Sequence, residues 1–133
     1  NSIIHNELNK LREDIQNYAR ILMLICHYES GNVDILQYLI NTYSGYFQRK
    51  KELNNFLKYS MNMFSDLKSK GPSEHKDILK KYYTLFKSIN KDPYERRALD
   101  YVDVLSWIES KVKNTSMQEL IKAKKLNSTK HSI

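Results

Sequence analysis

The sequence predicts an all-α fold of about six antiparallel helices stacked as helical hairpins, and three observations predict it. The 133 residues hold only 3 Gly and 2 Pro, few for a chain built from many strands and tight turns. Apolar residues recur at steps of three and four over long stretches, which is the period of one helix face. Helix-start signals stand where that period breaks. A chain of this length with a hydrophobic fraction of 41% is large enough to bury its own core as a single domain.

The first helix is expected from about Asn6 to Ser30. Leu8, Leu11, Ile15, Tyr18, Leu22 and Ile25 form one stripe, and from Ala19 to Cys26 the apolar surface widens around the helix. Such widening predicts a central, enclosed segment. Gly31 supplies a residue tolerant of the left-handed conformation to end the helix, and Asn32 a cap for the next. The second helix covers about Val33 to Lys50 with Leu36, Leu39, Ile40, Tyr43 and Phe47 inward. Gly45 within it costs roughly 1 kcal/mol relative to Ala, or lets a neighbouring helix approach closely.

The third helix is read from about Glu52 to Ser69, with Leu53, Phe56, Leu57, Met61, Phe64 and Leu67 inward. Gly71-Pro72-Ser73 is the clearest loop, and a fourth helix follows from about Glu74 to Asn90 on Ile78, Tyr82, Leu85, Phe86 and Ile89. Asp92, Pro93 and Glu95 occupy the N-cap, N1 and N3 positions of a fifth helix that reaches about Lys113. Ala98, Tyr101, Val102, Leu105, Ile108 and Val112 give it an apolar face. A Ser116-x-x-Glu119 capping box opens a short sixth helix ending near Leu126. The expected organisation is one helical domain over 1–126 and a flexible basic tail over 127–133.

A resemblance arises at the first turn. His27-Tyr28-Glu29-Ser30-Gly31-Asn32-Val33, followed by Leu36 and Ile40, resembles the middle of a tetratricopeptide-like repeat, where one helix folds back on the next at a Gly turn. Leu36 and Tyr43 depart from it, being bulky where that motif favours small residues. Tyr18–Leu22 through Asp34–Leu39, and Asp92–Tyr101 through Ser106–Lys111, are similar to the C-terminal part of long tetratricopeptide-like proteins of Bacteroidetes-type bacteria. The resemblance spans roughly Leu11 to Lys125. It implies an α-solenoid end and a bacterial context, and it carries no activity. A chain that opens on Asn1-Ser2-Ile3-Ile4-His5, without an initiator Met or a signal-peptide layout, fits the same expectation of a domain excised from a longer repeat protein.

The residues offer little chemistry. His5, His27, His75 and His131 stand apart, and none has a second His or Cys at a ligand-like helical spacing, so no metal or other cofactor is expected. Asp100 and Asp103 share a helix face, but Arg96 four residues before Asp100 reads as its ion-pair partner. Glu13 and Asp14 fall near the exposed side of the first helix. Cys26, the single cysteine, lies inside the run Ile21–Cys26 and reads as a buried small hydrophobe in a reducing compartment. Without a nucleophile elbow or a Gly-rich phosphate loop, no catalytic residue is expected.

The remaining expectations concern partners. Stacked helices offer a groove for a peptide or a partner helix, lined here by candidates Tyr28, Arg49, Lys50, Lys51 and Arg96. Trp107 would anchor either the core or an interface, with Leu105 and Ile108 favouring the core. An exposed repeat face could also pair the chain with a second copy. Nucleic acid is the alternative partner, on a pI near 9.4, ten tyrosines and the Arg49-Lys50-Lys51 cluster. Of the net charge of +7, however, +5 lies from Lys111 onward, in six lysines and one acid. The body before it is nearly balanced. No stretch approaches the roughly 20 apolar residues of a membrane span, and a cytoplasmic interaction module is the expected function.

Overall fold

The computed structural model describes residues 2–50, 54–114 and 117–131. Leu53, Lys51 and Ser116 therefore lie outside the described residues. Among the described residues seven α-helices follow in order: α1 Ser2–Glu29, α2 Val33–Lys50, α3 Asn55–Ser69, α4 His75–Ser88, α5 Pro93–Tyr101, α6 Val104–Val112 and α7 Met117–His131, with a 3-10 turn at Pro72–Glu74. The chain is all-helical, with no strand among the described residues. The helices from α1 to α4 each pack on the next, as does α6 on α7, while α1 also touches α3, α5 packs on α3, and α4 meets α6 across the short α5.

The turn between α1 and α2 has a local cause. Gly31 sits at φ +71, a conformation that costs other residues a Cβ clash. Asn32 N–H donates to His27 O at 3.0 Å and Gly31 N–H to Tyr28 O at 3.2 Å. That pair of bonds is the Schellman arrangement, which satisfies the last carbonyls of the helix. Gly45, by contrast, admits no neighbouring helix. A Cβ there would meet only Nη1 of Arg49 at 3.3 Å, because the arginine folds back along its own helix.

The central element is α3, not α1. Phe56, Leu57, Met61, Met63, Phe64 and Leu67 of α3 are all buried, and around them stand Ile21, Leu24, Ile40, Phe47, Leu79, Phe86, Val102 and Ile108. The wide apolar segment of α1 reads differently in three dimensions. Ile21 and Leu24 are buried, while Leu22, Met23 and Cys26 are exposed. The expectation of an enclosed segment with a buried thiol is thus corrected: the run serves two opposite faces of α1, and only one of them is covered. Asp14 is corrected in the other direction, since it is buried and accepts a hydrogen bond from Tyr94 Oη at 2.9 Å.

The expected fifth helix is two. Val102 is extended at φ −117, ψ 97, and Asp103 becomes the N-cap of α6, accepting from Ser106 N–H at 3.1 Å. Asp100 and Asp103 therefore share no helix face, and Tyr101 is exposed. The helix of α7 runs past Leu126, through 127–131 that the sequence assigned to a tail, and Leu120 buries it against the body. Lys122-Ala123-Lys124-Lys125-Leu126 contains only good helix formers and no breaker.

Three tyrosines bind this core with neutral phenols. Burial pushes Tyr18 up to about 12, helped by the charge of Asp14. Tyr83 is pushed up to about 12 by burial and by its hydrogen bond to Glu109. Tyr82 rises further, from burial and a 2.6 Å bond to Asp66. Unfolded tyrosines ionise near 10, so the stability that these three contribute is intact below pH 10. It falls as pH rises from 10 through 12. Urea melts followed by circular dichroism should show midpoints flat up to pH 9 and declining above 10, and a flat profile through pH 12 would contradict the phenol contacts.

Candidate interaction surfaces

Two surfaces stand out. The first is a groove of about 430 Å³ below the α1–α2 turn, bounded by Tyr28, Leu36, Leu67, Pro72, His75 and Lys111. Tyr28 is its best-fixed member. Its hydroxyl meets His75 Nδ1 at 2.8 Å, and its ring packs edge-on against both Phe64 and Trp107. Burial raises its pKa above the ordinary tyrosine value, with the charge of Glu29 adding to it. Glu29 in turn accepts from Trp107 Nε1 at 2.5 Å and pairs with Lys111 at 3.0 Å. The groove therefore has an aromatic floor and a fixed carboxylate.

The second surface is the outer face of α1. Ile4, Leu8, Leu11, Ile15, Ala19, Leu22 and Cys26 are all exposed, and at 100° per residue they fall within about 80° of the helix circumference. Leu8 is 58% exposed, Ile15 46% and Leu22 44%. The face that packs on the body is carried by Asp14, Asn17, Tyr18, Ile21 and Leu24. None of the described residues covers the outer stripe. The expected core stripe of α1 is thereby corrected: Leu8, Leu11, Ile15 and Leu22 face outward, Tyr18 is buried and Ile25 half-buried, because periodicity alone does not say which side of a wide apolar surface the body covers.

Of the five residues nominated from sequence, Lys51 lies outside the described residues, and the other four do not form one site. Tyr28 lines the groove. Arg49 is exposed and lies against Gly45, and Lys50 lies 5.9 Å from the Tyr46 ring centre. Arg96 serves a structural purpose, donating from Nε to Asn90 O at 3.0 Å and so tying the α4–α5 loop. The anticipated Arg96–Asp100 ion pair is not formed among the described residues. His27 and Glu29, both bordering the groove, went unread because neither has a partner at helical spacing.

The electrostatics bear on the nucleic-acid alternative. Base stacking needs open aromatic faces beside cations. Lys10 lies over Tyr94, Arg20 over Tyr46 at 4.1 Å, Lys81 over Tyr82, Lys87 over Tyr83 and Lys111 over Tyr28. These cations already occupy the rings in intramolecular contacts. Among the described residues no group of three or more His, Cys, Asp or Glu is placed to hold a metal ion. No described helix is long and apolar enough to cross a membrane. In comparisons with known proteins the chain matches no family model, no curated protein and no solved structure.

Proposed function

We propose that this chain is a protein–protein interaction module of the helical-repeat type, working by docking and without catalysis. The observation that carries the reading is the outer stripe of α1, a second apolar face about 33 Å long from Ile4 to Cys26 at a rise of about 1.5 Å per residue that the described residues leave uncovered. Contiguous apolar surface of that extent marks an interaction site on a folded protein. The Tyr28 groove beside the α1–α2 turn is the second docking surface, of a size that takes one or two side chains of a partner. A cytoplasmic setting belongs to the same proposal, since an exposed unpaired thiol at Cys26 suits a reducing compartment. So does a place at the C-terminal end of a longer tetratricopeptide-like protein of Bacteroidetes-type bacteria, supported by the stacked helical hairpins and the Gly31 turn.

The test is capture from lysate on the immobilised chain, with and without nuclease. The expected result is a protein partner retained after nuclease and lost with a Leu8→Asp/Leu11→Asp variant. Both side chains are exposed, so the variant's melting should stay within about 0.5 kcal/mol of the parent. Recovery of nucleic acid instead, abolished by nuclease and steeply weakened by salt, would replace the reading with the nucleic-acid one.

A further inference from the structure

The outer stripe of α1 has an internal symmetry. Its positions, Ile4, Leu8, Leu11, Ile15, Ala19, Leu22 and Cys26, are separated by steps of 4, 3, 4, 4, 3 and 4, a series that reads the same in both directions about Ile15. Two such helices placed antiparallel across a two-fold axis at Ile15 bring every stripe position opposite another. Ile15 faces its own copy, Leu8 faces Leu22, Leu11 faces Ala19, and Ile4 faces Cys26. We propose that the occupant of this face is a second copy of the chain, forming a two-fold symmetric antiparallel pair of α1 helices centred on Ile15.

The side-chain sizes favour this register. Each small residue, Ala19 and Cys26, stands opposite a large one, Leu11 and Ile4, so the surfaces interdigitate at constant spacing. A parallel pair would set Ala19 on Ala19 and Cys26 on Cys26 and leave gaps. The body matters too. It attaches to α1 from Asp14 to Glu29, while the side chains of residues 2–12 are exposed. Antiparallel pairing lays each exposed N-terminal half over the other copy's body-bearing half and covers its exposed Leu22. Parallel pairing would crowd the two bodies together. The repeat of 11 residues from Ile4 to Ile15 and again to Cys26 corresponds to 3.67 residues per turn, which coils two helices gently to the right.

Charge is compatible with the pairing. Arg12, at the edge of the stripe, faces the level of Gln16 and Ala19 of the second copy, and its own copy lies six residues further along the axis, beyond one turn. No like charges meet. The buried area is on the order of 600 Å² per copy, near the lower limit of specific interfaces of about 1,200 Å² in total, so the dimer dissociates at micromolar concentration. An isologous contact of this kind closes after two copies and does not propagate.

This inference rests on reading the outer face of α1 as an interaction surface, and its test separates the two. In a Cys26→Ser background, single variants Ile15→Cys and Leu8→Cys of the full chain are mildly oxidised, and their masses are followed by sedimentation from roughly 1 μM to 1 mM. The expected result is a concentration-dependent dimer of the parent, rapid disulfide dimerisation of Ile15→Cys and at least tenfold slower dimerisation of Leu8→Cys. Cross-linking of both at similar rates, or of Leu8→Cys alone, means a parallel or different register and overturns the proposal. A parent that stays monomeric to 1 mM overturns it as well. If that monomer still captures a protein through Leu8 and Leu11, the interaction reading stands without the self-pairing.

Discussion

Replacing Trp107 by alanine should destabilise the fold by about 3–5 kcal/mol, the range for removing a buried aromatic and leaving its cavity. Trp107 is buried, lies edge-on to Tyr28 with ring centres 5.6 Å apart, and sits at 5.8 Å from Phe64. It therefore joins α6 to α1 and α3 at one point. Its indole N–H is also the donor to Glu29. Against a total stability of roughly 5–15 kcal/mol, the substitution would remove a third or more of it, lowering the urea midpoint without changing the slope. Trp107→Phe separates the two contributions. It keeps most of the apolar volume and removes the donor, and since Glu29 retains Lys111 at 3.0 Å its cost should be about 1–2 kcal/mol. Losses below about 1 kcal/mol for the alanine variant would mean that Trp107 is peripheral.

The second large effect is expected at Glu95. This carboxylate is buried on α5, yet it accepts from the backbone N–H groups of both Asn55 and Phe56 at 2.9 Å each. Asn54 takes the next one, from Leu57 N–H at 2.8 Å. The first turn of the central helix is thus capped by one side chain of its own and one from about forty residues later. Orphan N–H groups at a helix start carry a positive partial charge, so a carboxylate is their strongest partner. Glu95→Ala strands a buried donor at Phe56 and a part-buried one at Asn55 and should cost about 3–4 kcal/mol, whereas Glu95→Gln, which keeps one acceptor, should cost about half as much. Equal and small losses in both variants by urea denaturation would show that water replaces the carboxylate without penalty.

Glu95 also marks a limit of reading the chain in one dimension. Asp92-Pro93-Tyr94-Glu95 announced the start of α5 correctly, and Asp92 does accept from Tyr94 N–H at 2.9 Å. The glutamate that completes the local pattern is spent elsewhere, because a neighbouring helix start within reach needs it more. The core of α3 and the turn at Gly31 were legible since both follow from local spacing and backbone sterics. The break at Val102-Asp103 was not, because the apolar period continues across it and only the capping aspartate marks it. The outer stripe of α1 was visible as apolar positions but not as a surface. Whether an apolar face is covered depends on where the other helices go, which α1 does not encode.

Two contacts described above bear on the order in which the molecule is made. Asp14 is held by Tyr94, and Glu29 by Trp107, separations of 80 and 78 residues. Neither contact exists until the second half of the chain has been synthesised. The helix α1 is thus fastened in stages: α2 and α3 cover its inner face once they are made, and these two ties close only when α5 and α6 have followed. The outer face gains no cover from the described helices at any stage, so a chaperone or a neighbouring nascent chain meets it bare throughout elongation.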